Sequence, residues 1–270
     1  FRCAHIFVVF SLMRQIFSPF LSPFRFAPIL LQFVRRDILG RYRGSLLGMG
    51  WAFVTPILML GVYTFVFVGV FRARWPGAED GSGVTFALQL FAGLMVFNLF
   101  AEVTAQAPNL ILSQPNLVKK VVFPLEILPF VALGSGLFHL MLSLSVLLVG
   151  ALLVNHGLSW TVLLLPLVLL PLLPLLLGIG WFFAALGVFV RDIAQVISLA
   201  INLLMFLSPI FYSTKSLSPS IQSWMFLNPL APVIENVRLV VFVGEMPDWS
   251  HWALSLGVSL LGALLGSAFF

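Results

Sequence analysis

Charge is what this chain has least of. Asp, Glu, Lys and Arg make up 9% of its 270 residues, against about 25% in an average soluble domain. With a mean hydropathy of +1.11, no room is left for a sizeable soluble domain. A single cysteine, Cys3, excludes an internal disulfide and any cysteine-based metal cluster. His5, His139, His156 and His251 are too far apart for a histidine metal site. No G-x-x-x-x-G-K-[ST] phosphate loop is present: Lys215 is the only lysine followed by Ser or Thr, and Pro209 and Thr214 stand where its glycines would be required. A G-x-S-x-G nucleophile elbow is also missing, as are the paired carboxylates that a membrane-embedded hydrolase would need. The chain is therefore expected not to be an enzyme and to hold no cofactor. Its net charge of +5 is too small and scattered for nucleic acid, and fits loops held at an anionic membrane face.

What is present is long apolar sequence. Trp51–Phe71 contains no charge, and at about 1.5 Å per residue it reaches about 30 Å, the thickness of a hydrocarbon core. Backbone groups have no partners in lipid, so such a stretch must be helical. Six crossings are expected, near Trp51–Phe71, Val84–Gln106, Ile127–Val154, Trp160–Val190, Ile193–Tyr212 and His251–Phe269. Arg2, Arg14, Arg25, Arg35, Arg36, Arg41 and Arg43 precede the first, Lys119 and Lys120 follow the second, and Arg191 follows the fourth. The positive-inside rule then places both termini in the cytoplasm. Trp51, Trp75, Trp160, Trp224, Trp249 and Trp252 fall near span ends, as an aromatic belt would. Pro166, Pro171 and Pro174 should bend the fourth span.

Two regions depart from simple spanning. In the arm, residues 1–50, the stretch Leu30–Arg43 puts Leu30, Leu31, Val34, Ile38 and Tyr42 on one helical face, with Gln32, Arg36 and Arg43 opposite. Asp37 and Arg41 interrupt the apolar edge. An amphipathic helix lying in the cytoplasmic interface is expected. Between the fifth and sixth spans, Ser218–Pro219 and Pro232 each open a short apolar piece. These read as two short helices on the external side, within about 218–243, where Glu235 and Arg238 are spaced to pair.

Within the spans, Asn98, Glu102, Gln106 and Asn109 project along one stripe of the second helix. Polar groups are costly against lipid, so the stripe should face the bundle interior. It reads either as a channel and access lining for hydrophilic cargo or as an interhelical contact, such as Glu102 with a buried arginine. His139 reads as a hydrogen-bonded interhelical histidine with no carboxylate at matching depth. Gly40, Gly44 and Gly48 suggest close backbone packing. Gln114–Glu126 joins the second and third spans, with Pro115 and Pro124 around a mixed apolar and basic insert.

Taken together, Arg41-Tyr42-Arg43-Gly44-Ser45-Leu46-Leu47-Gly48 with Trp51, Pro56 and Tyr63-Thr64-Phe65 resembles the start of ABC-2 type permeases, nearest to those exporting O-antigen and related polysaccharides. Asn228-Pro229-Leu230-Ala231-Pro232-Val233-Ile234-Glu235, followed by Arg238 and Gly244, resembles that family's mark before its last span. Pro115-Asn116-Leu117-Val118-Lys119-Lys120 and the residues to Pro124 resemble its coupling helix. The resemblance implies an all-α membrane protein whose permease domain, residues 51–270, pairs with a second copy of itself. It implies two copies of a separate ATPase subunit carrying ATP and Mg, engaged by Pro115–Lys120 (about 114–126) and by the arm with Arg35, Arg36, Arg41 and Arg43. It also implies an external gate built around Asn228, Pro229, Glu235 and Arg238, and a lipid-linked glycan moved out through the bacterial inner membrane. An ABC-2 exporter of drugs or small lipids is the first alternative. An ion-coupled secondary transporter is the second, with only His139 to offer as a protonatable midplane group.

Overall fold

The computed structural model describes residues 19–70, 83–115, 123–155, 157–225 and 228–270, and no strand occurs among them. The arm helix α1 is Ala27–Tyr42. It is followed by a first span, Gly48–Val70, whose α-helical part α2 is Trp51–Tyr63 and whose last turns widen to a π-helix, Thr64–Val70. The second span is α3, Gly83–Gln106, tightened to a 3-10 turn at Ala107–Asn109 where Pro108 sits. The third is α4, Leu128–Asn155. The prolines break the fourth as expected: α5, Leu165–Leu169, ends before Pro171, and α6, Leu172–Phe189, resumes after it. Next come α7, Ile193–Leu207, two short helices α8, Pro219–Met225, and α9, Ala231–Arg238, and a final span α10, Trp249–Phe269.

Five helices are long and apolar enough to cross a membrane, and the chain is a multi-pass membrane protein. The expected fifth crossing, Ile193–Tyr212, is shorter than its apolar sequence. α7 stops after 15 residues, about 22 Å against the ~30 Å of a hydrocarbon core. Ser208 stands before Pro209, a position that disfavours helical backbone, and it turns extended at ψ 149. Its hydroxyl donates back to the Leu204 carbonyl at 2.7 Å, and the chain leaves the helix there.

α3 is the centre of the bundle, buried from Phe86 through Phe97, with α4, α6, α7 and α9 packed round it. The first span is the reverse, almost wholly exposed, with Phe53, Ile57, Leu58, Val62 and Phe65 facing outward. α6 and α10 lie closest of all. A Cβ added at Gly178 would meet the Gly262 carbonyl oxygen at 2.6 Å and Ala263 Cα at 2.8 Å. Alanine normally gains about 1 kcal/mol over glycine inside a helix, but overpacking against backbone costs about 1–3 kcal/mol. Gly178→Ala should therefore lower the melting temperature in detergent, while Gly257→Ala, with nothing within 4 Å, should raise it. Equal shifts for the two would remove the close-approach argument.

The glycines of the arm behave differently from expectation. Added Cβ atoms at Gly40, Gly44 and Gly48 meet nothing within 4 Å, so these residues do not bring helices together within the chain. Gly44 and Gly48 instead have φ of +84° and +52°, left-handed backbone that glycine adopts without strain. They form the turn that swings the chain from α1 into the first span.

Candidate functional site

The polar residues of the spans converge at the arm end of the bundle, where α1 lies against α4. Val34 touches the Cα hydrogens' side of Gly134, where a Cβ would come within 2.8 Å of its Cγ2. One turn along, Asp37 and Arg41, the two residues that interrupt the apolar face, become the contact. Ser135 Oγ donates to Asp37 Oδ2 at 2.6 Å, and Arg41 Nη2 donates to the same oxygen at 3.1 Å. The other terminal nitrogen, Arg41 Nη1, reaches Glu102 Oε1 of α3 at 2.6 Å. His139 Nδ1 lies 3.0 and 3.1 Å from the two Glu102 oxygens. His139 Nε2 lies 2.9 Å from the Tyr42 hydroxyl.

Proton positions follow from the groups. A carboxylate only accepts, so His139 Nδ1 carries the hydrogen. Burial raises the Tyr42 pKa, so the hydroxyl beside Nε2 keeps its proton. Glu102 and His139 side chains are each about one-fifth exposed. Each charged side chain in this latch has an oppositely charged neighbour, Arg41 serving both Asp37 and Glu102.

The expectation that no carboxylate matches His139 in depth is thus overturned. The reason is stagger: Glu102 is one turn before the end of α3 at Gln106, whereas His139 is three turns into α4. The contact reading of Glu102 holds, and Arg41 is its arginine. The stripe divides. Gln106 and Asn109 line a cavity of about 240 Å³ with Arg36, Asp37, Ser113 and Gln114, where Arg36 Nη2 donates to Gln114 Oε1 at 3.2 Å. Asn98 is exposed and stands apart. Arg36 also stacks over Phe33 at 4.3 Å. Arg35 and Arg43 are exposed and make no ion pair among the described residues. Pro115 is exposed. Asn116, Leu117, Val118, Lys119 and Lys120 lie outside the described residues.

A second polar cluster forms at the far end. Arg238, 3% exposed, donates from Nε to the Gln89 carbonyl at 3.0 Å, from Nη1 to that of Pro209 at 2.6 Å and from Nη2 to that of Ile210 at 2.8 Å. These carbonyls include those stranded where α7 ends. Gly93 makes the space, since a Cβ there would sit 2.9 Å from Nη2. Glu235 pairs as its spacing suggested, at 3.5 Å. Burial pushes the Arg238 pKa down to about 10 while Glu235 raises it, so the guanidinium stays charged at neutral pH. Asn228 donates to Ser208 Oγ at 2.9 Å and accepts from the Leu230 amide at 3.0 Å, while Pro229 is half-buried in the turn between. Asp248 caps α10 and is held well below the usual carboxylate range by the Ser250 hydroxyl first and His251 next. The four proposed gate residues are therefore together, with the buried Arg238 tying α9 to α3. A cavity of about 480 Å³ opens beside them, lined by Glu235, Asn236, Gln222, Thr214, Asp248 and His251 among others.

Sequence reasoning missed Tyr42, Asp37 and Ser135. A signal was available: ionisable residues facing a membrane interior demand partners, and the arm supplies an acid and a base one turn apart.

Residues 28–242 match the model of the ABC-2 type transporter family. The chain belongs to that family. Its similarity to known permease proteins runs nearly end to end. It is 28% identical over 249 residues, 92% of this chain and 93% of the relative, to the O-antigen export system permease protein RfbA of Myxococcus xanthus. It is 27% identical over 245 residues, 90% of each chain, to the protein of the same name from Klebsiella pneumoniae. The family match takes in the arm helix, the latch and the far-end cluster, and stops within the π-helical turn that follows α9.

Proposed function

We propose that this chain is the permease subunit of an ATP-driven exporter that moves a lipid-linked, O-antigen-like polysaccharide out across the bacterial inner membrane. The observation that carries this reading is the near end-to-end similarity to O-antigen export permeases. The missing phosphate loop fits a division of labour in which a separate subunit hydrolyses ATP. Two permease copies line the conduit, and both termini face the cytoplasm, as the distribution of Arg and Lys favours. In this reading the short α7 also crosses, bringing the number of crossings to six, α1 lies at the cytoplasmic face, and α8 and α9 stand at the outer mouth. Asn98, Glu102 and Gln106 mark the side from which cargo arrives. The ion-coupled alternative gains the Glu102–His139 pair, but Arg41 already neutralises that carboxylate at 2.6 Å.

Reconstitution tests the reading. Proteoliposomes holding this chain and its ATPase should translocate lipid-linked glycan on adding ATP, and either subunit alone should not. Translocation or ATP hydrolysis by this chain alone would overturn it. The segment Pro115–Lys120 is assigned to transmit the ATPase's movement. Replacing Lys119 and Lys120 together with Glu inverts two charges, and export should fall at least roughly tenfold, the equivalent of about 1.4 kcal/mol of coupling. Unchanged export and unchanged ATPase assembly would withdraw that assignment.

A further inference from the structure

We infer that the cavity between α8, α9 and the start of α10 is a binding site for a neutral sugar ring of the emerging glycan. The inference rests on the function proposed above, in which α8 and α9 stand at the outer mouth, and it names the class of sugar that this mouth takes. The cavity measures about 480 Å³, within the ~300–1,000 Å³ range of small-molecule sites. Its wall is of two kinds. Met225, Pro232 and Leu239 supply apolar surface, and Gln222, Glu235 and Asn236 supply polar groups. A pyranose is built the same way, with C–H faces that pack on apolar wall and a rim of hydroxyls that both donate and accept.

Asn236 lines the cavity and is 2% exposed. Its Oδ1 accepts from the Asp248 amide at 2.8 Å, which fixes the other end of the carboxamide as the NH2. That NH2 has no acceptor among the described residues, whereas side-chain polar groups so deeply placed are normally paired. A ligand oxygen supplies the acceptor. Glu235 is complementary: its Oε1 takes the Thr214 amide at 3.3 Å and Arg238 at 3.5 Å, which leaves Oε2 to accept from a hydroxyl. Gln222 donates to the Leu217 carbonyl at 2.8 Å, which leaves its own oxygen as a second acceptor. Neighbouring hydroxyls of one ring can satisfy all three.

Charge selects among ligands. Both acids of the cavity are already engaged, Glu235 by Arg238 and Asp248 by the Ser250 hydroxyl and His251, so a cation finds no free counter-charge. A uronate or a lipid phosphate meets two carboxylates. The Arg238 guanidinium is turned away from it, onto the carbonyls of Gln89, Pro209 and Ile210. A neutral ring meets neither cost.

Methyl glycosides of mannose, galactose, glucose, rhamnose and N-acetylglucosamine test the site, read by saturation-transfer NMR on the purified chain in phosphatidylcholine nanodiscs. At least one should bind, at about millimolar strength for so small a ligand. The best should exceed the methyl glycosides of glucuronate and galacturonate at least roughly tenfold. Asn236→Asp keeps the acceptor for the Asp248 amide and replaces the NH2 with oxygen, and should weaken the best glycoside at least roughly tenfold. Met225→Trp fills the cavity and should abolish binding, and it decides the matter if Asn236→Asp does not fold. Glu245→Gln removes an exposed charge outside the cavity wall and should leave binding unchanged. Binding by none of the neutral glycosides, or wild-type binding by Met225→Trp or folded Asn236→Asp, overturns the site. Equal binding of a uronate overturns the neutral class. If the glycosides behave as stated but the reconstituted exporter moves no glycan, the site stands and the proposed function fails. If Met225→Trp loses the glycoside yet exports glycan at the wild-type rate, the function stands and the assignment to the emerging glycan fails.

Discussion

Arg238→Ala is expected to leave the far end of the bundle without its clasp and to prevent accumulation of folded protein. The guanidinium is the shared donor to the carbonyls of Gln89, Pro209 and Ile210. Those groups sit where Ser208-Pro209 has ended α7, and alanine supplies nothing in exchange. An unpaired buried acceptor costs about 1–3 kcal/mol, and three lose their donor here, while Glu235, about one-quarter exposed, keeps only the Thr214 amide. Against a total stability of about 5–15 kcal/mol, the loss is a large fraction. Thermal melting in detergent should show a much lower transition, or no folded species. Arg238→Lys should fall between, since a compact ammonium cannot reach three acceptors arranged around a planar fork. A melt for Arg238→Ala matching wild type would mean that those carbonyls find other partners.

The arm latch should show the second largest effect. Glu102→Ala removes the acceptor shared by Arg41 and His139, and leaves the histidine N–H facing the bundle unpaired. With both side chains about one-fifth exposed, the cost is discounted from the fully buried case to about 1–3 kcal/mol. Arg41→Ala should cost less, because Asp37 keeps Ser135. The double variant should cost less than the sum of the singles by about 1–2 kcal/mol, the signature of direct contact. Under the proposed function, loosening α1 from α4 also slackens the link between arm and spans, so export should fall even in variants that remain folded. Additive stabilities would show that the two residues do not interact. Undiminished export with a clear coupling energy would confine the latch to a structural role.

Much of the architecture was legible because the bilayer is an exacting solvent. Uninterrupted apolar runs located five spans to within a few residues, and the proline triplet located the break between α5 and α6. The Asn228-Pro229 and Glu235–Arg238 patterns marked the far-end cluster, with the ion pair at its expected spacing. What misled was counting along single helices. It put His139 at a depth with no acid, treated Asp37 and Arg41 as flaws in an amphipathic face, and carried α7 on to Tyr212. Each error concerns a relation between segments that periodicity does not record. Helix stagger matched Glu102 to His139, docking of α1 on α4 gave Asp37 and Arg41 their partners, and Arg238 from α9 satisfied the carbonyls that let α7 stop early.

By itself, then, the order of residues determined that this chain lies in a membrane as helices, because lipid offers no partner to backbone N–H and C=O and hydrogen bonds within a helix are local. It also determined that no phosphate loop accompanies them. Only the tertiary structure decided which charges meet: Arg41 with Glu102, Tyr42 with His139, Arg238 with three distant carbonyls. Those pairings join residues up to 149 positions apart, and they follow from how the helices slide and cross, which packing sets and no local pattern encodes.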